Sequence, residues 1–197
     1  MIPFQKHIPG RMPLSGSLIS SDWSLFLDRD GVLNERPVND YVRDPDGFYW
    51  KEGALDGLKK LAGCFGTIVV VTNQQGIGKG LMDEKDLAGI HEKMLREAAE
   101  AGARIDKVYF CGALSKSRSF FRKPAVGMGL QAKRDFPHIS FSTSVMVGDT
   151  IGDMQFGKRL KMYTVLIDSQ ADLARLHPTL IDLRFPGLQD FAEYLTG

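Results

Sequence analysis

Five short apolar runs punctuate the chain, at residues 23–27, 67–71, 107–110, 144–147 and 162–167. They are near-continuous and rich in β-branched and aromatic residues, the pattern of strands buried on both faces of a parallel sheet. Between them the apolar period changes. Leu55, Leu58, Leu61, Ala62 and Phe65 fall on one face of a helix, as do Leu87, Ile90, His91, Met94, Leu95 and Ala98 in a helix opened by Asp83 as N-cap. A late run at 180–183 predicts an edge strand, and Leu188, Phe191 and Leu195 a terminal helix. Strand alternating with helix predicts an α/β architecture: a doubly wound, mainly parallel sheet with helices on both faces and right-handed crossovers. Residues 1–21, interrupted by Pro3, Pro9 and Pro13, read as an irregular arm before a single domain at 22–197.

In open α/β sheets ligands bind outside the carboxyl ends of the strands, and polar residues gather at those ends here. Asp28-Arg29-Asp30-Gly31 follows the first run. A carboxylate at a strand tip can attack phosphorus, and a second carboxylate two residues on can pass the proton to the leaving oxygen and then activate water. A capped surface turn would use the same residues. Thr72-Asn73 follows the second run, where a hydroxyl and backbone N–H groups can hold phosphoryl oxygens or simply cap a turn. Lys123, in Arg122-Lys123-Pro124, can neutralise phosphate and the attacking carboxylate. Asp149 and Asp153 follow the fourth run; hard oxygen ligands of this kind suit Mg²⁺, although one of the pair can serve as a helix cap instead.

The four signals come in a fixed order, each after a predicted strand. In that order the sequence resembles the haloacid dehalogenase superfamily of phosphotransferases from about residue 25 to residue 167. Residues 26–31, 70–77, Arg122-Lys123-Pro124 with Gly127-Met128, and Val147-Gly148-Asp149 with Asp153-Met154 resemble the branch of heptose-bisphosphate and histidinol-phosphate phosphatases. The resemblance implies Asp28 as nucleophile and Asp30 as general acid/base. It implies Thr72, its neighbour Asn73 and Lys123 around the phosphate, and Arg122 toward the non-reacting part of the substrate. It places Mg²⁺ on Asp28, the Asp30 carbonyl and Asp149, with Asp153 supporting that site directly or through another ligand.

One departure stands out. Many members of the branch carry a zinc loop of Cys and His before the Arg-Lys-Pro motif. Here Cys111 holds the first such position, but Gly112 and Ala113 follow it, and Ser119 and Phe121 stand where later cysteines would be. A structural zinc site needs four N/S ligands, so no zinc is expected. The intervals from Asp30 to Thr72 and from Thr72 to Lys123 each hold a helix and its connections. No separate cap domain is expected, and loops at 35–48, 74–82 and 112–121 should roof the site.

Charge and composition narrow the picture further. Lys+Arg and Asp+Glu nearly cancel, leaving a net charge of +1, which gives no general reason to expect nucleic acid or an anionic membrane as partner. Two cysteines are too few for a disulfide framework, and no apolar run approaches a membrane span. These features predict a soluble cytoplasmic protein. Gln75-Gly76-Ile77-Gly78-Lys79-Gly80 lacks the first glycine and the Ser/Thr of a nucleotide P-loop, although Lys79 can meet an anionic substrate. The expected function is an Mg²⁺-dependent phosphomonoesterase acting on a small phosphorylated metabolite, a sugar phosphate or sugar bisphosphate first. Histidinol phosphate and a phosphorylated polynucleotide end are the alternatives, with a phospho-receiver or a non-catalytic binding protein behind them.

Overall fold

In the computed structural model, the described residues are 13–37, 40–167 and 172–197. Most of the predicted arm, residues 1–12, lies outside them. Six strands form one sheet: β1 (Ser24–Leu27), β2 (Thr67–Asn73), β3 (Lys107–Cys111), β4 (Ser144–Gly148), β5 (Tyr163–Ile167) and β6 (Leu183–Phe185). Their spatial order is β3-β2-β1-β4-β5-β6, and every neighbouring pair is parallel. The helices are α1 (Ala54–Ala62), α2 (Gln75–Gly78), α3 (Glu84–Glu100), α4 (Gly127–Asp135), α5 (Ile151–Arg159), α6 (Asp172–Leu176) and α7 (Leu188–Thr196).

The continuous apolar runs have a direct cause in this arrangement. Alternate residues of one strand feed two different cores. Leu25, Leu27, Ile68, Val70, Val145 and Val147 pack on the face covered by Leu58 and Leu61 of α1, Leu87, Ile90 and Met94 of α3, and Phe191 of α7. Phe26, Val69, Val71 and Met146 pack on the opposite face, against Met128 and Ala132 of α4 and Phe156 of α5. A strand with both faces buried cannot alternate with polar residues, so its sequence loses the two-residue period.

The expected edge strand at 180–183 is shifted: β6 begins where that run ends and does form the sheet edge. Asp83 caps α3 as expected, accepting from the Lys85 and Asp86 backbone N–H groups while Asp86 reaches back to the Asp83 N–H. Ahead of β1, residues 14–18 lie against α7. Leu14 is buried, and its carbonyl accepts from the Tyr194 hydroxyl at 2.8 Å. A Cβ on Gly16 would fall 1.9 Å from the Leu195 carbonyl oxygen, so only glycine permits that approach. No additional domain interrupts the sheet among the described residues. The strand order reverses at β1, whose neighbours β2 and β4 continue in opposite directions. That reversal opens a crevice beyond the β1 and β4 tips.

Candidate active site

Asp28 is the first residue past β1. Its backbone N–H still donates to the Val147 carbonyl of β4 at 2.9 Å, which fixes the carboxylate at the mouth of the crevice. Asp28 Oδ1 accepts from the Arg29 N–H at 2.8 Å and pairs with Lys123 Nζ at 2.9 Å. The chain then turns sharply at Gly31, where φ is +89° and a Cβ would fall 2.0 Å from Asp149 Oδ2. The turn therefore requires glycine twice over, for its backbone angle and for the closeness of Asp149.

Asp149 and Asp153 come from the tip of β4 and the first turn of α5. The helix does not begin at once after β4: Thr150 is its N-cap, and Asp149 lies in the turn before it. Asp153 closes a capping box, with Oδ2 accepting from the Thr150 N–H at 3.0 Å and the Thr150 hydroxyl at 2.5 Å. Its other oxygen pairs with Lys123 Nζ at 2.6 Å. Capping and the site are thus not exclusive uses of Asp153, because a carboxylate has two oxygens. Asp28, Asp149 and Asp153 each present an oxygen within 4.8 Å of the others.

This crowding of buried acids has an electrostatic cost. Burial, together with Asp153 and Asp30, lifts the Asp28 carboxyl to about 6 against the pull of Lys123. Burial and the charge of Asp28 lift Asp149 to about 7 against Arg36. Lys123 is buried too, yet Asp153 and Asp28 outweigh its desolvation and raise its proton affinity. An all-oxygen acid cluster with more negative charge than its cations offset suits a hard divalent cation.

Asp30 has a different setting. Its carboxylate receives Arg29 Nη2 at 2.8 and 3.0 Å, Asn34 Nδ2 at 3.0 Å and Gln74 Nε2 at 2.8 Å. Burial would raise this group, but the Arg29 charge and the bonds from Arg29, Asn34 and Gln74 hold it below the usual carboxylate range. The Arg29 side chain is fully buried, with Nη1 3.4 Å from His91 Nε2. Burial and the Arg29 charge press His91 down to about 3, against Asp30, leaving a neutral imidazole. His91 was expected as core packing; it packs from α3, and also touches this network.

Thr72 and Asn73 end β2. Thr72 is fully buried and its hydroxyl accepts from Gln74 Nε2 at 2.8 Å. Asn73 clasps the backbone of Lys123, donating to its carbonyl at 3.1 Å and accepting from its N–H at 3.0 Å. Both polar ends of Asn73 thereby fix the segment that delivers the lysine ammonium. Arg122, next along, donates to the Ala113 carbonyl at 3.0 Å.

These residues open into a cavity of about 570 Å³, whose walls include Arg36, Tyr41, Gln75, Lys79 and Arg122 above Asp28 and Asp153. Two of the expected loops supply its roof, one through Arg36 and Tyr41 and the other through Gln75 and Lys79. The third, 112–121, braces it from outside, with the Ser115 N–H donating to Gln75 Oε1 at 2.7 Å. Just before that third loop, at the end of β3, Cys111 is buried, and its sulfur faces the Ser119 hydroxyl at 3.7 Å.

Sequence reasoning passed over Arg29, Gln74 and Arg36. Arg29 left one signal: a cation between two acids at the tip of a buried strand has no solvent to enter and must pair locally. Gln74 and Arg36 left none, because the partners that bring them into the site, Asp30 for Gln74 and Asp149 for Arg36, come from distant parts of the chain.

The family model for polynucleotide kinase 3 phosphatase matches residues 25–175. The D-glycero-alpha-D-manno-heptose-1,7-bisphosphate 7-phosphatase of Mycobacterium bovis is 43% identical over 133 residues, covering 68% of this chain and 70% of that relative. The enzyme of the same name from Burkholderia mallei is 36% identical over 185 residues, covering 88% and 94%. Among solved structures, the D,D-heptose 1,7-bisphosphate phosphatase of B. bronchiseptica, complexed with magnesium and phosphate, superposes with a TM-score of 0.77. It is 28% identical over 88% of this chain and 97% of its own. With its strand-tip acids and uninterrupted parallel sheet, the chain belongs to the polynucleotide kinase 3 phosphatase family of the haloacid dehalogenase superfamily, in the heptose-bisphosphate phosphatase branch, and is a phosphatase.

Proposed function

We propose that the protein hydrolyses a terminal phosphate of a sugar bisphosphate of the heptose 1,7-bisphosphate kind through a phospho-Asp28 intermediate. The observation that carries this reading is the placement of Asp28, fixed at the β1 tip with Lys123 on one oxygen and Asp149 and Asp153 beside it. One Asp28 oxygen attacks phosphorus, the bond to the leaving oxygen breaks, and Asp30 supplies that oxygen's proton. Asp30 then takes a proton from water, which attacks phosphorus and releases inorganic phosphate and free Asp28. An Asp30 held ionised in the free protein suits the second step directly; for the first it must take up a proton once the substrate is in place.

Asp28, the Asp30 carbonyl and Asp149 would hold Mg²⁺, with Asp153 supporting them through Lys123. The cation would supply charge neutralisation between the carboxylate and the phosphoryl oxygens. Lys123 adds a second positive charge, and its hold on Asp28 orients the attacking oxygen. Asn73 acts on the phosphate through Lys123, whose backbone it fixes. The buried Thr72 hydroxyl acts through Gln74, which also holds Asp30.

The roof supports a bisphosphate rather than a monophosphate. Lys79 lies over the Tyr41 ring, 5.1 Å from its centroid, and with Arg122 it lines the cavity. Two cations there suit a second phosphate, and the named relatives act on such a compound. We propose no zinc, since Cys111 faces a serine hydroxyl where a cysteine ligand would be needed; stoichiometric zinc on elemental analysis would overturn this. The cytoplasm is the proposed setting, supported by two cysteines that are both free thiols.

The family model's description favours one alternative substrate, a 3′-phosphorylated nucleic-acid end. The test is phosphate release from heptose bisphosphates, sugar monophosphates, histidinol phosphate and a 3′-phosphorylated oligonucleotide, with and without Mg²⁺. Preference for a heptose bisphosphate with Mg²⁺ is expected. Faster release from the oligonucleotide would replace the substrate and keep the chemistry.

A further inference from the structure

Arg36 lies in the roof loop and its side chain is 46% exposed, yet its guanidinium points inward. A single nitrogen, Nη2, lies 3.0 Å from the Asp30 carbonyl oxygen, 3.1 Å from Asp149 Oδ1 and 3.9 Å from Asp28 Oδ2. These are the three groups assigned above to the divalent cation, and the present inference rests on that assignment. One nitrogen at the meeting point of a carbonyl and two carboxylates engages the same lone pairs that a metal ion would use. The guanidinium and the cation therefore compete for one set of oxygens.

The charge balance gives the arginine a reason to be there. Asp28, Asp149 and Asp153 crowd together, and Lys123 offsets one of them by pairing with Asp28 and Asp153. Lys123 acts on Asp149 only at longer range than an ion pair; the cation paired with Asp149 is Arg36. Arg36 thereby gives an ion pair to the one acid of the three that has none with Lys123. A guanidinium suits a reversible role of this kind. It stays charged at any working pH, and on a half-exposed, flexible side chain it can leave at low cost. The cavity it also lines gives it somewhere to go.

We propose that Arg36 is a built-in cation surrogate: it holds the acidic cluster together in the metal-free protein and is displaced into the substrate cavity when the divalent cation binds. Once displaced, it adds to the positive charge that Lys79, Arg122 and Lys123 present to an anionic substrate. Metal loading thereby changes the electrostatics of the cavity as well as of the reacting carboxylate.

Mn²⁺ binding followed by electron paramagnetic resonance or calorimetry tests this without reference to turnover, using wild type, Arg36→Met, Arg36→Gln, Arg122→Met and Asp149→Asn. Arg36→Met should bind Mn²⁺ roughly three- to tenfold more tightly than wild type, the scale of releasing one or two half-exposed ion pairs. Arg36→Gln should follow in the same direction. Arg122→Met removes an equal charge from the same cavity without touching the carboxylates, and should change affinity by less than about twofold because solvent screens it. In thermal unfolding, Arg36→Met should melt below wild type without metal and match it at saturating Mg²⁺. Unchanged or weaker Mn²⁺ binding in both Arg36 variants would overturn the proposal, as would equal tightening in Arg122→Met. Asp149→Asn separates the two levels of inference. If it binds Mn²⁺ as wild type does, the metal assignment fails and the surrogate with it; if it loses binding while Arg36→Met is unchanged, the surrogate alone fails.

Discussion

Asp28 and Asp30 stand two residues apart at one strand tip, yet their surroundings drive them in opposite directions. Asp28 sits among other acids with its charge only partly offset, and its carboxyl is lifted to about 6. Asp30 is wrapped by Arg29, Asn34 and Gln74 and lies below the usual carboxylate range. The motif supplies two identical groups; what surrounds them makes one a strained, cation-seeking carboxylate and the other a satisfied ionised one. Burial acts on both in the same direction, so the difference lies in partners, not in exposure. Enzymes commonly divide acid and base work in this way, by separating the proton affinities of neighbouring carboxyls.

The comparison breaks most completely at Asp28 itself. Asp28→Asn keeps the shape and removes the attacking oxygen; steady-state phosphate release on the best substrate should fall by on the order of 10⁴-fold or more. The fold should persist, because the substitution relieves a crowded acid. Turnover near wild type in a folded variant would exclude Asp28 as nucleophile.

Next in size is Lys123→Met, which leaves Asp28 and Asp153 buried without their shared cation. Breaking a buried pair typically costs about 3–5 kcal/mol, and urea unfolding should register a loss on that scale along with lost turnover. Adding Asp153→Asn should recover part of the stability and none of the activity. Full additivity of the two losses would show that Lys123 and Asp153 act independently.

On the Asp30 side, Arg29→Met should cost about 2–4 kcal/mol of unfolding free energy by leaving a buried carboxylate short of its strongest partner. Gln74→Ala should cost about 1–2 kcal/mol, since Asp30 retains Arg29 and Asn34. A larger loss at Gln74 than at Arg29 would reverse the ranking and make the amide, through its second bond to Thr72, the real anchor of Asp30.

At neutral pH the smallest expected effect lies at the far end of the same network, where a contribution is lost only as the solution is acidified. His91 titrates at about 3 in the folded protein against an ordinary value of 6.5, so between those values the unfolded chain binds the extra proton. Its contribution to stability is present above pH 6.5 and is lost as pH falls toward 3, with a slope of up to about 1.4 kcal/mol per pH unit. His91→Gln, which keeps a polar group beside Arg29, should flatten the fall in unfolding midpoint between pH 6.5 and 4. An unchanged slope would mean that His91 is protonated in the fold.

Much of the architecture was legible because its cause is local. The apolar runs ending at Leu27, Val71, Phe110 and Val147 became β1 to β4 with small changes at the ends, and the capping signal at Asp83 opened α3. The displaced edge strand was harder to place: β6 has one sheet neighbour and only three residues, so its apolar signal merges with the turn before it. The site was legible as a set of strand-tip residues in order. Its wiring was not. Nothing near Asn73 in the chain indicates that it clasps the backbone of Lys123, fifty residues away. Asp153 offered two readings, cap or support of a metal site; one of its oxygens caps α5 and the other pairs with Lys123.

By itself, then, the sequence determined which segments are buried on two faces, that they pair in parallel with helical crossovers, and which acids stand at the strand tips. Those properties follow from side-chain polarity and spacing, which act over a few residues. Only the tertiary structure decided which acid is crowded and which is satisfied, that Arg29 is a buried clamp, and that Arg36 reaches from the roof loop into the acid cluster. Those properties depend on distances between segments far apart in the chain. A charge interaction is set by separation in space and by the solvent left between the groups, and neither quantity is written in the order of residues.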